Sequence, residues 1–89
     1  MGRTVRKSNK LSAAKVSKIK SAGMYGDGDG LWLQVREIKD GLSKAWLFRY
    51  MFAGTPRYMG LGPLRQVSLA KARERASEAR DLIYKAPIL

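Results

Sequence analysis

Cysteine and histidine are both absent from this 89-residue chain, and acids are scarce: 7 Asp+Glu stand against 18 Lys+Arg. Without cysteine there is no disulfide framework and no thiolate metal site. Without histidine the commonest metal ligand and the usual general base at neutral pH are missing. No metal and no cofactor is expected, and the composition argues against a self-sufficient enzyme. No apolar run approaches the roughly 20 residues of a bilayer span, and no signal-peptide core follows the N-terminus, so the chain reads as cytoplasmic. At this length folding hides only about 60% of the surface the unfolded chain exposes, which allows one modest core. Positive charge is what the chain has in excess, +11 net on a sequence that is 45% hydrophobic. That balance describes a basic globule rather than a disordered tail.

The charge is unevenly placed. Residues 1–20 carry seven bases and no acid, and Arg49, Arg57 and Arg65 stand unopposed in residues 45–68. A directional field of this kind attracts polyanions and speeds encounter with them. A basic surface with no partner gives the same composition. A membrane-surface helix is the weakest alternative, because residues 12–20 set only Val16 and Ile19 opposite their lysines.

Residues 1–10 read as a flexible basic arm and 11–89 as the folded domain. Ser12 is a suitable N-cap for a short helix over 13–20, with Leu11 and Val16 spaced as a hydrophobic staple. The glycines and aspartates of residues 26–30 read as turn punctuation. Alternation follows, with Leu31, Leu33 and Val35 on one side and Trp32, Gln34 and Arg36 on the other. Asp40-Gly41 marks a hairpin loop. In residues 45–52, Trp46, Phe48, Tyr50 and Phe52 share one face, and Leu47, Arg49 and Met51 the other. After the turn at Ala53-Gly54, residues 57–61 form a third strand with Tyr58 outward. Ser68 caps a long helix from Leu69 to about Lys85, with Leu69, Ala72, Ala76, Ala79, Leu82 and Ile83 as its apolar stripe. The expected fold is therefore α+β: a three-stranded antiparallel sheet covered on one face by both helices, the other face open.

That open face is the candidate site. It shows Trp32, Gln34, Arg36, Leu47, Arg49, Met51 and Tyr58, where a merely solvated sheet face favours Thr, Lys, Glu and Ser. Arginine bonds a guanine edge bidentately and glutamine does the same to adenine, and a sheet can enter the major groove of duplex DNA with such side chains leading. The rival is a protein-interaction module in which Trp32, Leu47 and Met51 meet a neighbouring subunit or domain. Single-stranded RNA binding would want more stacked aromatics than Trp32 and Tyr58. The Asp27–Gly30 segment has no glutamate where a twelve-residue calcium loop needs one, and its glycines precede a strand rather than a helix, so they are no dinucleotide fingerprint.

Several segments, taken in order, resemble a known family. Leu11-Ser12 with Lys15-Val16, the run from Asp27-Gly28-Asp29-Gly30 through Leu31-Trp32-Leu33-Gln34-Val35, and Lys44-Ala45-Trp46-Leu47-Phe48-Arg49-Tyr50 are followed by Ala53-Gly54, Met59-Gly60-Leu61-Gly62 and Ser68-Leu69-Ala70-Lys71-Ala72-Arg73. Over residues 10–85 this order is similar to the N-terminal arm-type DNA-binding domain of tyrosine recombinases, the prophage and genomic-island integrases of satellite-phage type. The chain departs from the family where Thr55-Pro56-Arg57-Tyr58 replaces a basic run, and at Leu47, where arginine is common.

The resemblance implies a non-catalytic fragment of a longer integrase that binds short repeats flanking an attachment site on the bacterial nucleoid, alongside other recombinase subunits or domains. It implies a sheet lying in the major groove, with Gln34, Arg36, Arg49 and Tyr58 as base-reading candidates and Trp32 and Met51 beside them. Phosphate contacts are expected from Arg3, Arg6, Lys7, Lys10, Lys15, Lys18, Lys44, Arg57 and Lys71. No small-molecule substrate and no membrane partner are expected.

Overall fold

Ser12 starts the folded order of the chain. Its hydroxyl accepts the Lys15 N–H at 3.1 Å and so satisfies one orphan donor of α1 (Ala13–Lys18). The computed structural model describes residues 10–84. Ile19 leaves helical geometry, so α1 is two residues shorter than the expected 13–20. Six residues are too few to be stable alone, and α1 holds its place by burying Val16 in the core.

The sheet has four strands, not the expected three: β1 (Gly23–Gly28), β2 (Leu31–Ile38), β3 (Gly41–Phe52) and β4 (Thr55–Pro63), in the order β1-β2-β3-β4 with every pair antiparallel. The additional strand is β1. Three glycines in its six residues give it almost no intrinsic preference for extended structure, and the backbone ladder to β2 supplies what propensity does not. Only Asp29 and Gly30 of the glycine-aspartate segment form the turn, at φ 55° and 89°. Ala53 and Gly54 repeat that left-handed pair, at 52° and 80°, between β3 and β4. Two positive φ values in a two-residue loop are what a primed hairpin turn requires. Between β2 and β3 the loop is Lys39-Asp40. Gly30 is required for a second reason: a Cβ there would lie 2.7 Å from the Phe48 ring.

One face of the sheet is the core. Leu31, Leu33 and Val35 of β2 and Trp46 and Phe48 of β3 are buried against Ala72, Ala76 and Ala79 of α2 (Leu69–Tyr84), whose small side chains let the helix approach closely. Burying each of the large side chains contributes roughly 1.5–3 kcal/mol. The Trp46 indole N–H donates to the Val67 carbonyl at 2.7 Å, so its one polar atom is satisfied. Ser68 caps α2 by accepting the Lys71 N–H. Two apolar residues lie outside the core: Phe52, on the same strand face as Trp46 and Phe48, and Leu82, expected in the apolar stripe of α2. Phe52 is 57% exposed because β3 runs past the end of the helix cover, and Leu82 is 71% exposed on the flank of α2. Among the described residues no helix is long and apolar enough to cross a membrane.

Candidate nucleic-acid interface

With both helices on one face, the other face of the sheet is bare, and strand register fixes what stands on it. Directly opposed residues of antiparallel strands share a face, so the pairs can be read off as successive rungs. Arg36 stands opposite Ser43; Gln34 lies between Met24 and Ala45; Trp32 stands opposite Leu47, with Gly26 and Gly60 at the two edges; then come Arg49 with Tyr58, and Met51 with Pro56. None of these residues is acidic. All six base-reading candidates, Trp32, Gln34, Arg36, Arg49, Met51 and Tyr58, are therefore on this one face. Arg36, Arg49, Met51 and Tyr58 are exposed, while Trp32, Gln34 and Leu47 are half-buried.

The half-burial of Trp32 has a local cause. A Cβ on Gly26 would come within 3.2 Å of the indole, so glycine lets the ring lie flat on β1. Gly60 at the opposite edge is different: a Cβ there would meet nothing within 4 Å. The middle rung is thus a bulky apolar pair flanked by two positions with no side chain. Neighbouring strands are about 4.8 Å apart, so at this rung the indole and the leucine cover β1 to β3, a width of about 10 Å, and only the β4 edge is bare.

The edge strand that carries Met24 and Gly26 is fastened from behind. Strand alternation, with Tyr25 opposite Leu33 and Gly26 opposite Trp32, turns Asp27 inward at the bulge between Gly26 and Gly28, where it is only 2% exposed. Its carboxylate accepts Arg73 Nε and Nη2, each at 2.9 Å, and the Leu11 N–H at 2.9 Å. Arg73 Nη2 also donates to the Leu11 carbonyl, and the Asp27 carbonyl accepts the Lys10 N–H. Burial by itself pushes the Asp27 carboxyl up; the Arg73 and Leu11 hydrogen bonds and the Arg73 charge outweigh it and hold the group below its ordinary value. Seven residues along α2, Arg80 donates to the Asp29 carbonyl at 2.8 Å. Two arginines on one side of the helix therefore grip the Asp27–Gly30 segment, and Arg75 donates to the Leu61 carbonyl of β4.

The phosphate candidates are dispersed. Lys10, Lys15 and Lys18 are exposed on and before α1, with Lys15 Nζ donating to the Lys10 carbonyl. Lys71 pairs with Glu74 at 3.2 Å. Lys44 lies on the helix-covered face, where its ammonium donates to the Val16 carbonyl at 3.0 Å and closes the C-terminus of α1. Arg57, opposite Tyr50, is also turned to that face, and its guanidinium lies 5.0 Å from the Phe52 ring centroid. Arg3, Arg6 and Lys7 lie outside the described residues. Sequence reasoning overlooked Met24, Gly26, Ser43, Ala45 and Gly60 on the face, and the Asp27–Arg73 fastening behind it. The spacing of Arg73 and Arg80, seven apart on one helix, was the available signal for the second.

A protein family described as Arm DNA-binding domain matches the chain over residues 4–86. No curated protein matches it.

Proposed function

This chain belongs to the arm DNA-binding domain family, and from that premise we propose that its bare sheet face enters the major groove of a duplex and reads sequence there. The observation that carries the reading is the acid-free face itself, which gathers two arginines, a glutamine and an apolar centre on the side the helices leave open. Arg36, Arg49 and Gln34 address base edges; Trp32, Leu47, Met51 and Tyr58 supply apolar contact; Lys10, Lys15, Lys18 and the bases of residues 1–9 address phosphates. In this proposal the domain is the DNA-anchoring part of a tyrosine recombinase, binding repeats that flank an attachment site during integration or excision of a prophage or genomic island. A chain with that task works in the bacterial cytoplasm, at the nucleoid, beside other recombinase subunits or domains.

The test is a fluorescence-anisotropy titration on a duplex from the flank of the element's attachment site, a scrambled duplex and the single strand, at about 150 mM salt. Tighter binding to the site duplex by about tenfold or more is expected. If about five phosphates are neutralised, the logarithm of affinity falls against log salt with a slope near −4 to −5. Equal, weak binding to all three would overturn the reading and favour the same face as a protein-interaction surface built on Trp32, Leu47 and Met51.

A further inference from the structure

The order of side chains along the bare face has a chemistry of its own. From Arg36 to Arg49 the rungs present arginine (Arg36), glutamine (Gln34), an indole and a leucine (Trp32 and Leu47), and arginine again (Arg49). Each rung is two residues from the next, so the steps are about 7 Å, and the two arginine rungs stand about 20 Å apart. At 3.4 Å of rise per base pair, and with a somewhat longer path along the groove than along the axis, this spans about four to six base pairs.

Each rung favours one kind of base pair. A guanidinium fork matches the O6 and N7 acceptors that only guanine presents together in the major groove. The carboxamide of Gln34 matches the N6 donor and N7 acceptor of adenine. The Trp32–Leu47 rung offers one hydrogen-bond donor, the indole N–H, and no acceptor, so most polar base edges beneath it would lose water without compensation, whereas the thymine methyl is an apolar surface. Adenine and thymine are the two halves of one base pair. The glutamine rung and the apolar rung therefore ask for the same composition.

We infer that this domain recognises a site of fixed composition order: a G·C pair under Arg36 and another under Arg49, about four to six base pairs apart, with A·T pairs between them. The inference rests on the reading above, that the bare face enters the major groove. It adds that the ends of the site are read by hydrogen bonds and its centre by thymine methyl contact, so the apolar centre that otherwise suggests a protein interface is a specificity determinant.

The test has a protein arm and a DNA arm. Duplexes enriched by the whole chain from a random library are sequenced, and the best is then rebuilt with uracil in place of its central thymines, which removes only the C5 methyl groups. The expected site has two G·C positions bracketing an A·T centre. Arg36→Ala relaxes preference at one G·C end and Arg49→Ala at the other, each by about tenfold, and uracil at the centre weakens binding severalfold. Both arginines are exposed, so these variants keep the fold, and far-ultraviolet circular dichroism checks it. A site with a G·C centre, an unchanged affinity for the uracil duplex, or both arginine variants acting on the same end overturns the inference and leaves sequence-specific binding intact. No enrichment of any sequence overturns the sequence-reading proposal and this inference with it.

Discussion

Asp27 and Arg73 are 46 positions apart in sequence, and the contact between them joins three pieces of the molecule. The aspartate belongs to the bulge of β1, the arginine to α2, and both bond Leu11, just ahead of α1. A carboxylate this deeply covered would be costly without a partner, and the bidentate arginine with a backbone N–H supplies one. Because the folded carboxyl is held below its ordinary value, the contact contributes stability above the usual carboxylate range, near pH 4, and loses it as pH falls toward the lowered folded value. Asp27→Asn is expected to cost about 2–3 kcal/mol at pH 7, by the loss of a charge-assisted pair. Urea midpoints of wild type and variant should then converge on acidification from neutral pH to well below 4. A gap that stays constant through the acid range would show that the carboxylate charge is not what holds the three pieces. The seven-residue spacing of Arg73 and Arg80 marks one side of a helix, but nothing in the sequence names Asp27 as its partner. An aspartate between glycines looks like turn chemistry, and only its place in a paired strand reveals that it points inward.

The β3–β4 hairpin ends in Ala53-Gly54, and Ala53 sits at φ 52°, where an L-residue with a Cβ is strained by about 1–2 kcal/mol. Asparagine tolerates that region much better and is the preferred first residue of a primed turn. Ala53→Asn is expected to stabilise the domain by about 0.5–1 kcal/mol, read as a higher urea midpoint at unchanged slope; a lower midpoint would contradict the turn assignment. The elements were legible in the sequence where local chemistry and tertiary context agree. Ser12 and Ser68 cap the helices as their positions imply, and the alternation of β2 and β3 faces the core as read. β1 was not legible, because a strand of glycines exists only through the partner beside it. Leu82 was misplaced for a geometric reason. At about 100° per residue it points roughly 90° away from the mean direction of Ala72, Ala76, Ala79 and Ile83, so it fits the spacing loosely and the face not at all. Phe52 keeps the alternation of its strand and still lies in solvent, since a strand longer than its cover cannot bury its end.

At the scale of the whole molecule, the division of labour is between two faces of one sheet. The alternation of β2 and β3 already assigned Trp32, Gln34, Arg36, Arg49 and Met51 to the bare face, because side-chain period fixes a face as soon as one side is buried. What the sequence alone did not disclose is which basic residues serve the fold. Lys44, Arg73, Arg75 and Arg80 all hold backbone or carboxylate groups on the helix side, so net charge overstates what faces a polyanion. It also gave no sign that the edges of the face are stripped to glycine beside its apolar centre. Gly60 turns that feature into a direct test of where DNA binds. An added side chain there meets nothing in the fold, and glycine in a strand is itself unfavourable, so Gly60→Leu should fold at least as stably as wild type. It changes no charge, and it raises a bulky group beside Leu47 on the face that would enter the groove. The decisive measurement is therefore the equilibrium affinity of Gly60→Leu and wild type for the same selected duplex, with thermal unfolding recorded on both. The expected result is a loss of about tenfold or more in affinity with the unfolding temperature undiminished; an affinity equal to that of wild type would contradict the claim that this face of the sheet lies against DNA.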